Sequence, residues 1–119
     1  VKAIVIRTIP NNKDKQTANY TDGNPPFLEC EIANYLIEKG IEHLLVDLPS
    51  VDQERDGGAL AFHHAFWNVP HAPNTLRTIT EFVYVPNNIL DGVYVLELQV
   101  SPLKNDASPS RPILYQKRK

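Results

Sequence analysis

The chain has 119 residues, twelve of them basic and fourteen acidic, for a formal charge of −2. That length is about the modal size of a single domain, and the near balance of charge offers no electrostatic footprint for nucleic acid or an anionic membrane. No apolar run approaches the roughly 20 residues a bilayer-crossing helix needs, and the single Cys30 has no partner for an internal disulfide, which fits a reducing, cytoplasmic setting.

Residues 2 to 8, KAIVIRT, are β-branched and almost continuously apolar, the pattern of a strand covered on both faces and central in its sheet. The chain enters this strand directly and contains no methionine, so it reads as a fragment. Residues 9 to 27 are polar and turn-rich, long for a loop inside a compact domain, and loops of that length are usually functional or mobile.

Residues 28 to 39 carry a helical stripe: Leu28, Ile32 and Leu36 repeat at four, Ala33 and Ile37 widen it, and Glu29, Glu31, Glu38 and Lys39 fall elsewhere. Cys30 sits in this segment, where a small thiol packs well. Pro26 suits the entry to the helix and Gly40 its left-handed stop. The apolar residues 41 to 48 then complete a β-α-β unit, which predicts two parallel strands joined by a right-handed crossover.

Asp47 stands at the C-terminal end of that second strand, where open α/β sheets gather ligands. The competing reading is a turn former ahead of Leu48-Pro49. A charged loop follows to Gly57-Gly58, and residues 59 to 67 read as a short helix carrying the adjacent pair His63-His64. On a helix those side chains diverge by about 100°, so one can face a site while the other faces solvent. His71, in the turn-rich NVPHAPNT, reads as surface.

Residues 78 to 85 alternate like a strand, with Ile79, Glu81, Val83 and Val85 on one face. Glu81 therefore points with an aliphatic row and needs a cation, a hydrogen-bond donor or an escape to water. Residues 93 to 100 form a further strand, 101 to 112 a Pro-Ser-Asp loop and 113 to 115 a last short strand, with 116 to 119 a solvated, frayed end. No repeat, CxxC pair or phosphate-binding glycine loop occurs, and Ser50 lacks the GxSxG elbow of a nucleophile. The candidates for chemistry reduce to Asp47, His63 or His64, and Glu81.

Four segments in order, LLVDLPSVD, AFHHAFW, TITEFVYV and DASPSRPIL, resemble the DTPSxD, AHHxxL, xxxEGL and DGSPxR segments of the cyclase-like metal-dependent hydrolases, the family that includes kynurenine formamidase. The resemblance implies an α/β fold of the swivelling β/β/α type, with a mixed sheet, and places residues 1 to 119 as one domain from the C-terminal half of the family's length. It implies a divalent metal, zinc or manganese and often a pair. His63 matches the family's ligand histidine and Glu81 its ligand glutamate, while His64 lies beside a ligand position. Asp47, Ser50 and Asp52 match the DTPSxD turn, and Ser108, Pro109 and Arg111 the SPxR element, both taken as scaffold behind the ligands.

The family's HxGTHxD signature, which supplies most of the ligands and the catalytic histidine, does not occur here, Leu48 replaces a threonine, and NVPHAPNT lengthens the interval from His63 to Glu81. With two ligands the isolated chain is expected to bind metal weakly and to be inactive, because a catalytic metal site generally needs three protein ligands and an open position. The implied activity of the longer protein is hydrolysis of a formamide, such as N-formylkynurenine, or of a cyclic amide. The alternative, from a different class, is a non-catalytic α/β domain used for self-association or partner binding. Exposed strand surface on a fragment predicts a homo-oligomer.

Overall fold

The computed structural model describes residues 1–117 and divides into two units, residues 1 to 87 and residues from 88 onward. The first is an α/β unit. Its strands β1 (Ala3–Ile6), β2 (His43–Val46) and β3 (Thr78–Thr80) form one sheet in the order β1-β2-β3, parallel throughout. Between them run a 3-10 turn (Lys13–Gln16), helix α1 (Cys30–Glu38) and helix α2 (Ala61–Trp67). The expected β-α-β unit is present, with Ala3 opposite His43 and Ile6 opposite Val46.

The central strand is β2, not β1. Both read as continuous apolar runs, but only β2 is paired on each side, and its Leu44, Leu45 and Val46 are all buried. The core gathers around it: Leu44 and Val46 pack with Ala33 and Leu36 of α1, Phe62 and Phe66 of α2, and Leu48 and Val51 of the following turn. Burying a side chain of the size of Phe62 or Phe66 contributes about 1.5–3 kcal/mol, so these few residues account for most of the cohesion. The stripe on α1 falls as its spacing requires, with Leu28, Ile32 and Ile37 packed against the same cluster. Gly40 ends the helix at φ 72°, a conformation glycine adopts without penalty. Cys30 opens α1 half-buried, its thiol directed at the Ala61 carbonyl at 3.6 Å.

β3 is shorter than the alternation of residues 78 to 85 suggests. It stops at Thr80, and two residues on Phe82 takes φ 58°, in the left-handed region. The Phe82 and Val83 N–H groups donate to the Leu48 and Val46 carbonyls at 2.9 and 3.1 Å, so the chain stays attached to the end of β2 but with a bulge-like break at Glu81.

The second unit is an antiparallel hairpin of β4 (Tyr94–Val100) and β5 (Ser110–Gln116). The strands thus combine parallel and antiparallel pairing within the expected α/β class, as two sheets, one parallel and one antiparallel. β5 starts three residues before the expected strand, and Pro112, expected to end the preceding loop, sits within it opposite Leu98. In a two-stranded ribbon each strand has an unpaired side, which tolerates a missing N–H. Ser108 donates to the Ser101 carbonyl at 2.7 Å and Arg111 lies opposite Gln99, so both are positioned by the hairpin. Gln116 closes β5, and the remainder of the expected frayed end, residues 118 and 119, lies outside the described residues.

Candidate metal-ligand pair

The turn after β2 organises the site. Ser50 Oγ accepts the Asp52 N–H at 3.1 Å, and the buried Asp52 then reaches the start of α2, taking the Phe62 N–H at 2.7 Å and the His63 N–H at 3.2 Å. These are orphan donors of a helix first turn, and α2 has no side-chain cap from its own N-cap residue, Leu60. Asp52 therefore caps the helix from ten positions upstream. Its Oδ2 also meets His63 Nδ1 at 2.6 Å.

This contact sets the histidine's tautomer. An ionised carboxylate only accepts, so the proton sits on Nδ1 and, in the neutral ring, Nε2 carries the lone pair. Nε2 faces Glu81 Oε1 at 3.6 Å. Glu81, which directly precedes the left-handed Phe82, is held by the Val51 N–H, which donates to the same oxygen at 2.9 Å. Trp67, one turn on from His63, closes the other flank of the imidazole with ring centroids 5.0 Å apart.

Two acceptors thus point at one another across a gap too long for a direct hydrogen bond, and the gap calls for positive charge. A proton on Nε2 or a divalent cation would supply it. Two ligands of one tetrahedral zinc lie roughly 3.4 Å apart for bonds near 2.1 Å, so the pair fits as half of a metal site. Among the described residues no group of three or more His, Cys, Asp or Glu is clustered for a metal, so this chain offers two donors and not a complete shell.

The other candidates separate by position. His64 is exposed on the far side of α2, as the helical divergence predicts, and His71 is exposed. Asp47 does not face His63. Its fully buried carboxylate accepts from Thr8 N at 2.9 Å, from Thr8 Oγ at 3.0 Å and from Lys15 Nζ at 2.8 Å. It fastens the turn-rich segment after β1 to the sheet. Lys15 lies 32 positions from Asp47 in a polar stretch, with no spacing signal to join the two.

Beside Asp52 opens a cleft of about 320 Å³, walled by Ser50, Asp52, Tyr20, Phe82 and Pro49 among others. Tyr20 gave no signal in the sequence. Of the aromatics near the motifs, Phe66 is fully buried in the core, whereas Phe82 is 66% exposed with its ring 6.1 Å from that of Tyr20. Phe82 occupies the position where the xxxEGL pattern has glycine, and its φ of 58° is the conformation glycine favours. Replacing Phe82 by glycine relieves backbone strain and removes one ring contact, effects of about 1 kcal/mol each and opposite in sign. Thermal melting of Phe82→Gly is expected to fall within a few degrees of the parent.

The loop into α2 depends on a second carboxylate. Asp56 accepts from Leu60 N at 2.7 Å and Gly58 N at 2.8 Å, and these donors, Leu60 first, hold its pKa below the ordinary 3.8. A lowered folded-state pKa stabilises the fold above the unfolded value and is lost as pH falls through the folded one. The protection factors of the Gly58 and Leu60 amides should therefore fall selectively as the pH drops from 3.8 through the lowered folded-state pKa, while β2 amides remain protected.

The family model described as putative cyclase matches residues 1–53. The kynurenine formamidase of Bacillus mycoides (strain KBAB4) is 32% identical over 115 residues, 96% of this chain and 49% of that protein. That of Bacillus anthracis shows the same identity and coverage, and that of Bacillus cytotoxicus is 36% identical over 90 residues, 75% of this chain and 39% of the relative. The chain spans about half the length of the curated relatives it matches. With the ordered motifs, the parallel α/β unit and these relatives in agreement, the chain belongs to the cyclase-like family that includes the kynurenine formamidases.

Proposed function

We propose that the longer protein to which this chain corresponds is a metal-dependent amide hydrolase of the arylformamidase type, cleaving the C–N bond of a formamide such as N-formylkynurenine to release formate and an amine. In this reading it serves tryptophan catabolism in the cytoplasm. The carrying observation is the pair of facing acceptors: His63 Nε2, its tautomer set by Asp52, stands 3.6 Å from Glu81 Oε1. His63 and Glu81 would hold zinc or manganese, with the remaining ligands, and a second ion if there is one, supplied by residues of the longer protein. A bound divalent ion supplies Lewis-acid polarisation of a carbonyl and makes water acidic enough to act near neutral pH.

The chain's own residues do the positioning. Asp52 keeps the imidazole proton on the side away from the ion and raises the basicity of Nε2, the usual arrangement behind a metal-bound histidine. Glu81 brings negative charge, and the Val51 N–H limits its motion. The test is formate release from N-formylkynurenine by the full-length protein. Activity should disappear on chelation, return with Zn²⁺ or Mn²⁺, and not return in Glu81→Gln. Undiminished activity after exhaustive chelation would refute the assignment.

A second reading, self-association, is favoured by the hairpin. Val93, Val95, Val100, Leu103 and Tyr115 are each about half or more exposed, and a two-stranded ribbon is at best marginally stable alone. Light scattering is expected to show a mass above the 13.4 kDa monomer that falls towards it when Val95 and Val100 are changed to threonine. A monomer at millimolar concentration would exclude this reading.

A further inference from the structure

We propose that the outer edge of β4 is a self-docking surface, where β4 of a second copy of this chain adds antiparallel and turns two two-stranded ribbons into one four-stranded sheet. This rests on the self-association reading, which it deepens by naming the contact, and it is independent of the hydrolase reading.

A proline and the alternation of the ladder identify the edge. In an antiparallel ladder, facing residues alternate between pairs that exchange both backbone hydrogen bonds and pairs that exchange none. Pro112 has no N–H, which places Leu98 and Pro112 in the second kind. Three steps along, the Ser101 N–H donates to the Pro109 carbonyl at 3.0 Å, the first kind, as the alternation requires. Leu96 and Val100 alternate in step with Leu98, so the N–H and C=O groups of all three point away from β5. Among the described residues no strand pairs with them on that side. The two edges of the ribbon then differ. On β5 the outward residues Ser110, Pro112 and Leu114 lack a donor at their centre, a device that blocks strand addition. β4 carries neither proline nor lysine, and Glu97 is its one charge.

A strand pair needs at least one more strand and an apolar face for independent stability. A second β4 supplies both, because Leu96 and Leu98 lie on one face with Leu114 and Pro112, and pairing two ribbons doubles that face. Glu97 decides the register. A two-fold axis centred on Glu97 sets two carboxylates directly opposite, which destabilises, and one centred on Leu96 sets Glu97 against the partner's Val95. Centred on Leu98, the axis pairs Leu98 with the partner's Leu98 and Leu96 with the partner's Val100, outward groups facing outward groups. Glu97 then lies opposite the partner's Gln99, the neutral amide that it already meets within its own strand.

Amide exchange of the chain, read residue by residue from micromolar to millimolar concentration, tests the edge. The Leu96, Leu98 and Val100 amides should gain about tenfold or more in protection as the mass rises above 13.4 kDa, while those of Val95, Glu97 and Gln99, bonded to β5, stay protected throughout. Leu96→Pro removes only an outward donor, and Val100→Lys charges a side chain already 58% exposed. Each should keep the chain monomeric with the inward amides still protected, and the lysine variant decides the matter if proline disturbs the ribbon. A monomer at millimolar concentration would overturn this proposal together with the self-association reading. A dimer in which the three outward amides gain no protection would overturn the edge alone and leave association through a face of the ribbon. Protection of the same amides in the longer protein as a dilute monomer would assign the edge to the half that this chain does not cover, and would overturn the second copy as its occupant.

Discussion

Asp47→Ala should lower the unfolding free energy by about 3–5 kcal/mol, the range for removing one partner of a buried ion pair. The Asp47 side chain is fully buried and that of Lys15 is 15% exposed, with Nζ 2.8 Å from the carboxylate. Alanine leaves the ammonium with only neutral acceptors, the Thr8 carbonyl and hydroxyl and the Asn11 side chain at 2.7, 3.0 and 3.3 Å, and strands the Thr8 N–H. A domain of this size is stable by only about 5–15 kcal/mol, so the variant would sit near its unfolding threshold. Asp47→Asn keeps an acceptor for Thr8 and should lose about half as much. Urea unfolding measures both, and a loss under about 1 kcal/mol for alanine would show that the pair behaves as a surface one.

Asp52→Ala should cost about 3 kcal/mol in the same assay, the sum of a lost helix cap and donors left buried without partners. Its effect on the site is separate from its effect on the fold. Asp52→Asn retains the shape, but its amide cannot accept at both oxygens, so the His63 Nδ1 proton loses its fixed acceptor. Changes behind a metal-bound histidine typically lower metal affinity by about 10- to 100-fold. The asparagine variant should show that loss in the full-length protein, measured by competition with a chelator, with a much smaller fall in stability than alanine. Equal metal affinity in the asparagine variant and the parent would remove Asp52 from any role beyond capping.

The sequence made parts of this legible because the forces concerned are local. The four-residue repeat of α1, the apolar run of β2 and Gly40 between them each report a backbone preference that tertiary structure did not override. Parallel pairing followed from connecting two such strands through one helix. The ordered motifs carried His63, Glu81 and the Ser50–Asp52 turn.

What failed to show depended on contacts between distant residues. The alternation after Thr78 is real in the residues, but a left-handed phenylalanine interrupts it, and nothing about that residue type advertises the conformation. Asp47 looked available for chemistry because its partner Lys15 lies in a stretch without periodicity. β1 and β2 are indistinguishable as apolar runs, and only the arrival of β3 alongside β2 makes one the edge and the other the centre. Tyr20 entered the cleft wall from a segment with no motif at all.

The proposal that His63 and Glu81 share a cation is tested most directly by ¹⁵N spectra of the imidazoles as Zn²⁺ is added. The account predicts that the His63 Nε2 resonance moves from the range of an unprotonated nitrogen towards that of a metal-bound one, that Nδ1 stays protonated against Asp52, and that Glu81→Gln weakens the response. A His63 whose Nε2 is indifferent to zinc, or which responds equally in Glu81→Gln, would contradict it.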